Sequence, residues 1–253
     1  MGLRGRVLLL ALCVALLSSA AALAAQTRLR AVSFDLTRQS LTHQQLRSLL
    51  LYLEPDVVGL HGYRHESPDL PGPGALAALA RSLRMYYHFE PVVPGSNVGS
   101  ALLSRFPLTK ASPLSPSSAT RVPGMRADLT VAGNMLRLAL VRPDSPAASR
   151  AASEVVAKLA RESSRRQLIV MASFDPGSAM GAVKAWGEAG LQDASVALRK
   201  AEPTYPAAAP KERLDFMLVS ANLRPYLRGV RVVREAKQRT PAERLPLELT
   251  ITY

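Results

Sequence analysis

The chain's 253 residues are 48% hydrophobic, enough to bury one large core or two packed sheets within a single domain. Its formal charge of +13 comes mainly from arginine and marks a surface attracted to phosphate, anionic lipid or acidic polysaccharide. The one cysteine, Cys13, lies in the first 25 residues, so a chain shorn of them has no disulfide, thiolate nucleophile or cysteine metal site.

Arg4 and Arg6 precede an apolar run from Val7 to Leu17, and Ala22-Leu23-Ala24 then fits a small-residue cleavage site. Residues 1–25 therefore read as a secretory signal peptide, which makes the remaining chain an exported protein. The alternative is an uncleaved membrane anchor, since Val7 to Ala25 is just long enough to span a bilayer. Loss of Arg4 and Arg6 lowers the charge by two, to +11. A cysteine-free exported chain suits an oxidising compartment, periplasmic or extracellular, and export argues against duplex DNA as a partner.

Thr27 to Phe34 alternates apolar and polar residues as a half-buried strand does. Thr42-His43-Gln44-Gln45 has the form of a capping box, Leu46, Leu49, Leu50 and Leu53 follow at helical spacing, and Pro55 closes the helix. Asp56 to Leu60 is a short buried strand. Ser67 to Gly74 is a Pro/Gly loop leading into a helix from Ala75 to Leu83, and Met85 to Val93 and Gly99 to Ser104 read as paired strands.

Ala111 to Gly124 is expected to be a Ser/Pro-rich loop. Arg126 to Val131 and Leu136 to Val141 flank Ala132-Gly133-Asn134, a hairpin signal. Ser145-Pro146 supplies an N-cap and a first-turn proline for a helix running to about Arg161. The apolar strand Leu168 to Ala172 comes next, then a helix from Ala179 to Ala189 bearing the one tryptophan, Trp186. Pro203 to Pro210 is a proline-rich loop. Strands at Leu214 to Val219, Gly229 to Val233 and Leu247 to Tyr253 complete the set. Hairpins outnumber βαβ units, which predicts two mixed sheets packed face to face with helices outside.

Several segments carry a recognisable order. They are Leu29 to Asp35, Pro55 to Gly62, Asn97 to Pro107, Leu168 to Asp175, Gly190 to Ala194 with Thr204-Tyr205-Pro206, Arg213 to Ser220 and Ala242 to Leu247. In order and spacing they resemble the endonuclease/exonuclease/phosphatase family, whose strands end in an Asn, a Gln-Glu, a Gly-Asp-Phe-Asn, an Ile-Asp-Tyr and a Ser-Asp-His. The resemblance covers roughly residues 28 to 253 and implies one α/β (α+β) domain over 26–253. Its fold would be DNase I-like, a four-layer sandwich of two mixed β-sheets flanked by helices.

In active members, as the resemblance implies, an acidic residue holds a divalent cation, usually magnesium. An Asn–Asp pair there positions and deprotonates water, and a His stabilises the phosphate. The family's first Asn aligns here with Asp35 and its metal-binding Glu with Gly62. The His after the central hairpin aligns with Arg142, the Asp and Asn of Gly-Asp-Phe-Asn with Ser173 and Asp175, and the final Asp-His with Glu243 and Arg244. Asp215 alone keeps its type. A serine hydroxyl without a partner is no base at neutral pH, and arginine, with a pKa above about 12, cannot shuttle protons.

The expectation is therefore a member that has lost its catalytic apparatus and serves a binding or structural role, with no cofactor. Asp35, Asp175 and Glu243 are expected to face Arg142 and Arg244 in a salt-bridge network filling the old metal site. A competing reading makes Arg142 and Arg244 an anion site for phosphate or sulfate. The alternative to inactivity is a divergent phosphoesterase or phosphodiesterase in which Asp35, Asp175, Asp215 and Glu243 hold magnesium or manganese. Glu66 or His61, with His65 nearby, is a candidate substitute metal ligand beside Gly62.

The basic stretch Arg224, Arg228, Arg231, Arg234, Lys237, Arg239 and Arg244 reads as a solvated face or as a dock for lipid headgroups or anionic envelope polymer. A monomer is expected. The chain has no G-x-G-x-x-G, no P-loop and no G-x-S-x-G motif, which leaves out nucleotide sites of those types and a serine-hydrolase elbow.

Overall fold

The computed structural model describes residues 26–38, 41–65, 74–114, 122–163 and 166–253. The leader lies outside them, as do Glu66 and most of the two Pro-rich loops expected at 67–74 and 111–124. Among the described residues no helix is long and apolar enough to cross a membrane.

Two six-stranded mixed sheets form the centre. The first contains β1 (Arg28–Asp35), β2 (Val57–Arg64), β3 (Tyr86–Pro91), β4 (Val98–Ser104), β11 (Leu227–Val232) and β12 (Leu247–Thr252), in the order β11-β12-β1-β2-β4-β3. The second contains β5 (Thr109–Pro113), β6 (Gly124–Val131), β7 (Asn134–Val141), β8 (Gln167–Ser173), β9 (Leu191–Asp193) and β10 (Asp215–Ser220), in the order β5-β6-β7-β8-β10-β9. In each sheet one central pair is parallel, β1 with β2 and β7 with β8, and a helical crossover links it.

The helices are α1 (His43–Leu53), α2 (Ala75–Leu83), α3 (Pro146–Glu162), α4 (Ala179–Glu188), α5 (Ala194–Ala197) and α6 (Ala236–Arg239). The capping box of α1 forms as the sequence predicts. Thr42 Oγ1 accepts from Gln45 N at 3.1 Å, and Gln45 Oε1 accepts from Thr42 N at 3.0 Å. Ser145 caps α3 through Ala148 N, with Pro146 in the first turn. The β6–β7 hairpin turns on Ala132 and Gly133, both at positive φ, and Asn134 already belongs to β7.

Three apolar clusters give four layers. The central one joins the facing sides of the sheets, with Leu29, Leu102, Leu138, Met171, Met217 and Leu249 among its members. A second packs α3 and α4 on the outer face of the second sheet around Phe174 and Trp186. A third packs α1, α2 and α6 on the outer face of the first sheet around Phe34, Leu49 and Leu79.

Two expectations need correction. Ala111 to Pro113 is not loop but part of β5, an edge strand whose Ser and Pro content hid it, since proline is tolerated where no partner needs its N–H. The second strand is also longer than Asp56 to Leu60. It runs on through His61 and Gly62 to Arg64.

Candidate functional site

Strand parity builds the site. Along β1, Leu29 and Ala31 belong to the central core, and Ser33 and Asp35 continue their inward series. On β8 the series is Ile169, Met171, then Ser173, and on β10 it is Val219, Met217, then Asp215. On β7 it is Leu136, Leu138, Leu140 and, one residue past the strand, Arg142. Register aligns the ends. Asp215 stands opposite Ser173, and Val141 opposite Ala172, which brings Arg142 beside Ser173. On the other sheet Asp35 stands opposite His61. The row Arg142, Ser173, Asp215 therefore faces Asp35 and His61 across the sandwich.

Arg244 enters from the loop ahead of β12. Two backbone bonds pin that loop to the one at 204–207, Leu245 N to Thr204 O at 3.0 Å and Ala207 N to Glu243 O at 2.8 Å. The same pairing delivers Thr204, which sequence reasoning did not single out as a site residue; its only signal was its place in the Thr-Tyr-Pro segment.

The polar groups form one connected network. Arg142 Nε donates to Asp35 Oδ2 at 3.1 Å, and its Nη2 donates to Asp175 Oδ1 at 3.1 Å. Arg244 Nη1 donates to Ser173 Oγ at 2.9 Å and to Phe174 O at 2.8 Å. The Arg244 guanidinium also lies 3.4 Å from Asp35, 3.6 Å from Asp175 and 3.8 Å from Asp215. Ser173 Oγ is 2.6 Å from Asp35 Oδ2 and 2.8 Å from Asp215 Oδ1. Thr204 Oγ1 donates to Asp215 Oδ2 at 2.6 Å, and Thr37 N donates to Asp35 Oδ1 at 2.8 Å. Asp35, Ser173, Asp215 and Arg244 are each under 5% exposed, so these bonds are made away from water.

Burial opposes ionisation of Asp35, but Arg142 and Arg244, with His61 and the Ser173 hydroxyl, overcome it and hold its carboxyl well below the usual range. Burial pushes Asp215 up to about 6, against the pull of Arg244; the Asp35 charge adds to the push, and the Thr204 and Ser173 bonds resist it. Proton counting agrees with this split. Ser173 has one hydrogen for two carboxylates, so full satisfaction of both contacts needs a proton on one carboxyl group, and Asp215 is the one disposed to carry it. His61 is pushed down to about 4 by burial, with Asp35 raising it and the two arginines lowering it. Its Nε2 lies 3.3 Å from Ser33 Oγ, and its Nδ1 is buried without a partner.

The expected Arg–Asp network is present with one substitution of members. Asp35, Asp175, Arg142 and Arg244 converge as predicted. Glu243 does not: it is exposed at a bend of the loop, where Arg244 takes the inward direction. Asp215 occupies the third carboxylate position instead. The four-carboxylate cation set of Asp35, Asp175, Asp215 and Glu243 therefore fails at Glu243, and among the described residues no group of three or more His, Cys, Asp or Glu could hold a metal ion.

The remaining donors do not fit a divalent cation either. A hard cation wants several oxygens about 2.0–2.6 Å away, whereas the inward carboxylates here already receive hydroxyls and two guanidinium groups. Gly62 offers no side chain, and nothing larger fits. At φ +63° a Cβ would overlap the Thr37 side chain and stand 2.7 Å from Thr37 Cα. Arg244 has no room for an external anion among its partners, so the anion reading survives only at Arg142, whose Nη1 makes none of the bonds above.

Two cavities flank the cluster. One of about 230 Å³ is lined by Thr37, Gly62, Glu90, Ser100, Arg142 and Asp144, among others. The other, an open groove of about 770 Å³, lies between the starts of α3 and α4 and reaches Asp144 and Asp175. In the basic stretch, Arg231 pairs with Glu235 and Glu248 at 3.0 Å each, Arg234 pairs with Glu202 at 2.7 Å, and the Arg239 guanidinium lies over the Tyr52 ring.

No protein-family model matches the chain, and no curated protein sequence matches it. Solved structures do. An endonuclease/exonuclease/phosphatase family protein from Leptotrichia buccalis superposes with a TM-score of 0.67 at 13% identity, over 89% of this chain and 100% of that one. The 3'-5' exonuclease NExo from Neisseria meningitidis gives 0.64 at 17% identity over 89% and 100%. An AP endonuclease from Archaeoglobus fulgidus gives 0.63 at 14% over 88% and 99%. The chain has the endonuclease/exonuclease/phosphatase, or DNase I-like, fold.

Proposed function

We propose that this chain is a catalytically inert protein on the endonuclease/exonuclease/phosphatase fold, exported from the cell, with a binding or structural role. The position of Arg244 carries the proposal. Its guanidinium stands within 4 Å of Asp35, Asp175 and Asp215 at once, where it supplies the positive charge that converging carboxylates require. A divalent ion placed there would meet two fixed cations and carboxylate oxygens already engaged.

The base and the nucleophile positioner are gone as well. Ser173 is an alcohol whose proton is shared between carboxylates, and Asp35 is clamped by Arg142 and the Thr37 backbone. The neighbours named as an exonuclease and an AP endonuclease act on nucleic acid; nothing in this site supplies that chemistry. The pairing of Arg231 and Arg234 with local acids lessens the charge the basic stretch offers an anionic surface.

Incubation with a generic aryl phosphodiester and excess manganese tests the proposal. No turnover above buffer is expected. Turnover abolished by Asp215→Asn would establish the alternative, a divergent metal-dependent phosphoesterase.

A further inference from the structure

We infer that the cavity beside Arg142 binds a small amino-acid-like zwitterion, an inference that rests on the binding role proposed above and names its ligand. The cavity, about 230 Å³, suits a ligand of a few heavy atoms. It opens where the two sheets part, between the Thr37–Gly62 contact on one side and Arg142 on the other.

Its wall carries both charges. Arg142 is nine-tenths buried and held rigidly, through Nε on Asp35 and Nη2 on Asp175, so Nη1 is left as an oriented donor for an acceptor such as a carboxylate. Asp35 and Asp175 offset Arg142 and Arg244 together, so Asp144 and Glu90, the latter also 3.8 Å from His88, bring acidic groups to the wall. A simple anion would meet them as like charges. A ligand with an ammonium group and a carboxylate satisfies both ends.

Hydroxyls complete the polar set. Ser100 lines the cavity and is 5% exposed, and the Thr37 hydroxyl oxygen in the same wall is buried with no hydrogen-bond partner. A turn of the Thr37 side chain from Gly62 toward the cavity would let a bound ligand supply that hydrogen bond. Val92, Val98 and Pro123 supply the apolar remainder, which favours a short aliphatic chain.

Calorimetric titration of the full chain with glycine, L-serine, L-valine, acetate, ethanolamine and inorganic phosphate tests this directly. The expected result is saturable binding of at least one amino acid, at least tenfold tighter than acetate, ethanolamine or phosphate. Glu90→Gln should weaken that binding at least tenfold. Val92→Trp, a half-exposed rim position outside the Arg–Asp network, should abolish it with an unchanged unfolding midpoint. Absence of amino-acid binding, phosphate or acetate binding as tight as the zwitterion, or indifference to both substitutions would each overturn the inference. These outcomes are independent of phosphodiester turnover, so failure here and failure of the inert assignment are separately visible.

Discussion

Arg142 and Asp35 are 107 residues apart, and the 3.1 Å bond from Nε to Oδ2 ties the end of β7 in one sheet to the end of β1 in the other. The strand ends of the two sheets are thus joined by a charge pair. With Arg244 and Ser173, this pair bonds the strand ends of the two sheets to one another.

Removing one cation from the network should be far more costly than removing a matched pair. Arg244→Met takes the cation from beside Asp215 and leaves Asp35 with Arg142 alone, and breaking a buried charge pair by removing one partner costs about 3–5 kcal/mol. Adding Asp35→Asn should recover part of that loss, since the two residues are coupled. Urea unfolding of the two single variants and the double variant measures the coupling; strict additivity would show that the residues do not interact.

The pH dependence of stability separates Asp215 from His61. Asp215 has a folded value of about 6, above its ordinary 3.8, so its contribution is complete below 3.8 and is lost as pH rises to about 6. His61 has a folded value of about 4, below its ordinary 6.5, so its contribution is complete above 6.5 and is lost as pH falls toward 4. The two slopes oppose each other between pH 4 and 6. Asp215→Asn removes one of them, so stability in that variant should climb more steeply with pH, by an extra amount on the order of 2 kcal/mol across the window. Denaturation midpoints at half-unit pH intervals give the comparison; parallel curves for the two proteins would refute the assignment.

Gly62→Glu is expected to lower the unfolding temperature without gaining cation affinity. The added Cβ must displace Thr37, at a positive φ that disfavours any side chain, and strain of this kind costs about 1–3 kcal/mol. Thermal unfolding with and without manganese reads both effects. A manganese-dependent rise in midpoint in the variant would show that the glycine is merely a missing ligand.

Ser173→Ala should cost about 1–3 kcal/mol, because losing the hydroxyl's one hydrogen and its acceptor oxygen leaves Asp35, Asp215 and Arg244 each short of a buried partner. Equilibrium unfolding measures it. A neutral effect would mean that water or a side-chain shift replaces the hydroxyl at no cost.

Most of the scaffold was legible in the residues themselves. The capping box at Thr42, the leucine stripe of α1, the Ser145-Pro146 start of α3 and the turn at Ala132-Gly133 are local signals, and each acts where its chemistry requires. The convergence of the strand ends was legible only through the resemblance, because register between distant strands is a tertiary fact. Once register is known, period-two parity explains why Asp35, Ser173, Asp215 and Arg142 all point inward. Glu243 was misplaced for the opposite reason: it sits in a loop with no such period, where the bond from Ala207 N to its carbonyl sets its direction. Thr204 went unnoticed as a partner of Asp215 for lack of any local mark, and β5 was hidden by Ser112 and Pro113 on a sheet edge.

Titration calorimetry with manganese and magnesium at neutral pH bears most directly on the central claim, that two guanidinium groups stand in for the cation. Neither ion should give stoichiometric heat with the intact chain. One-site manganese binding lost on Asp215→Asn or Asp35→Asn would contradict it.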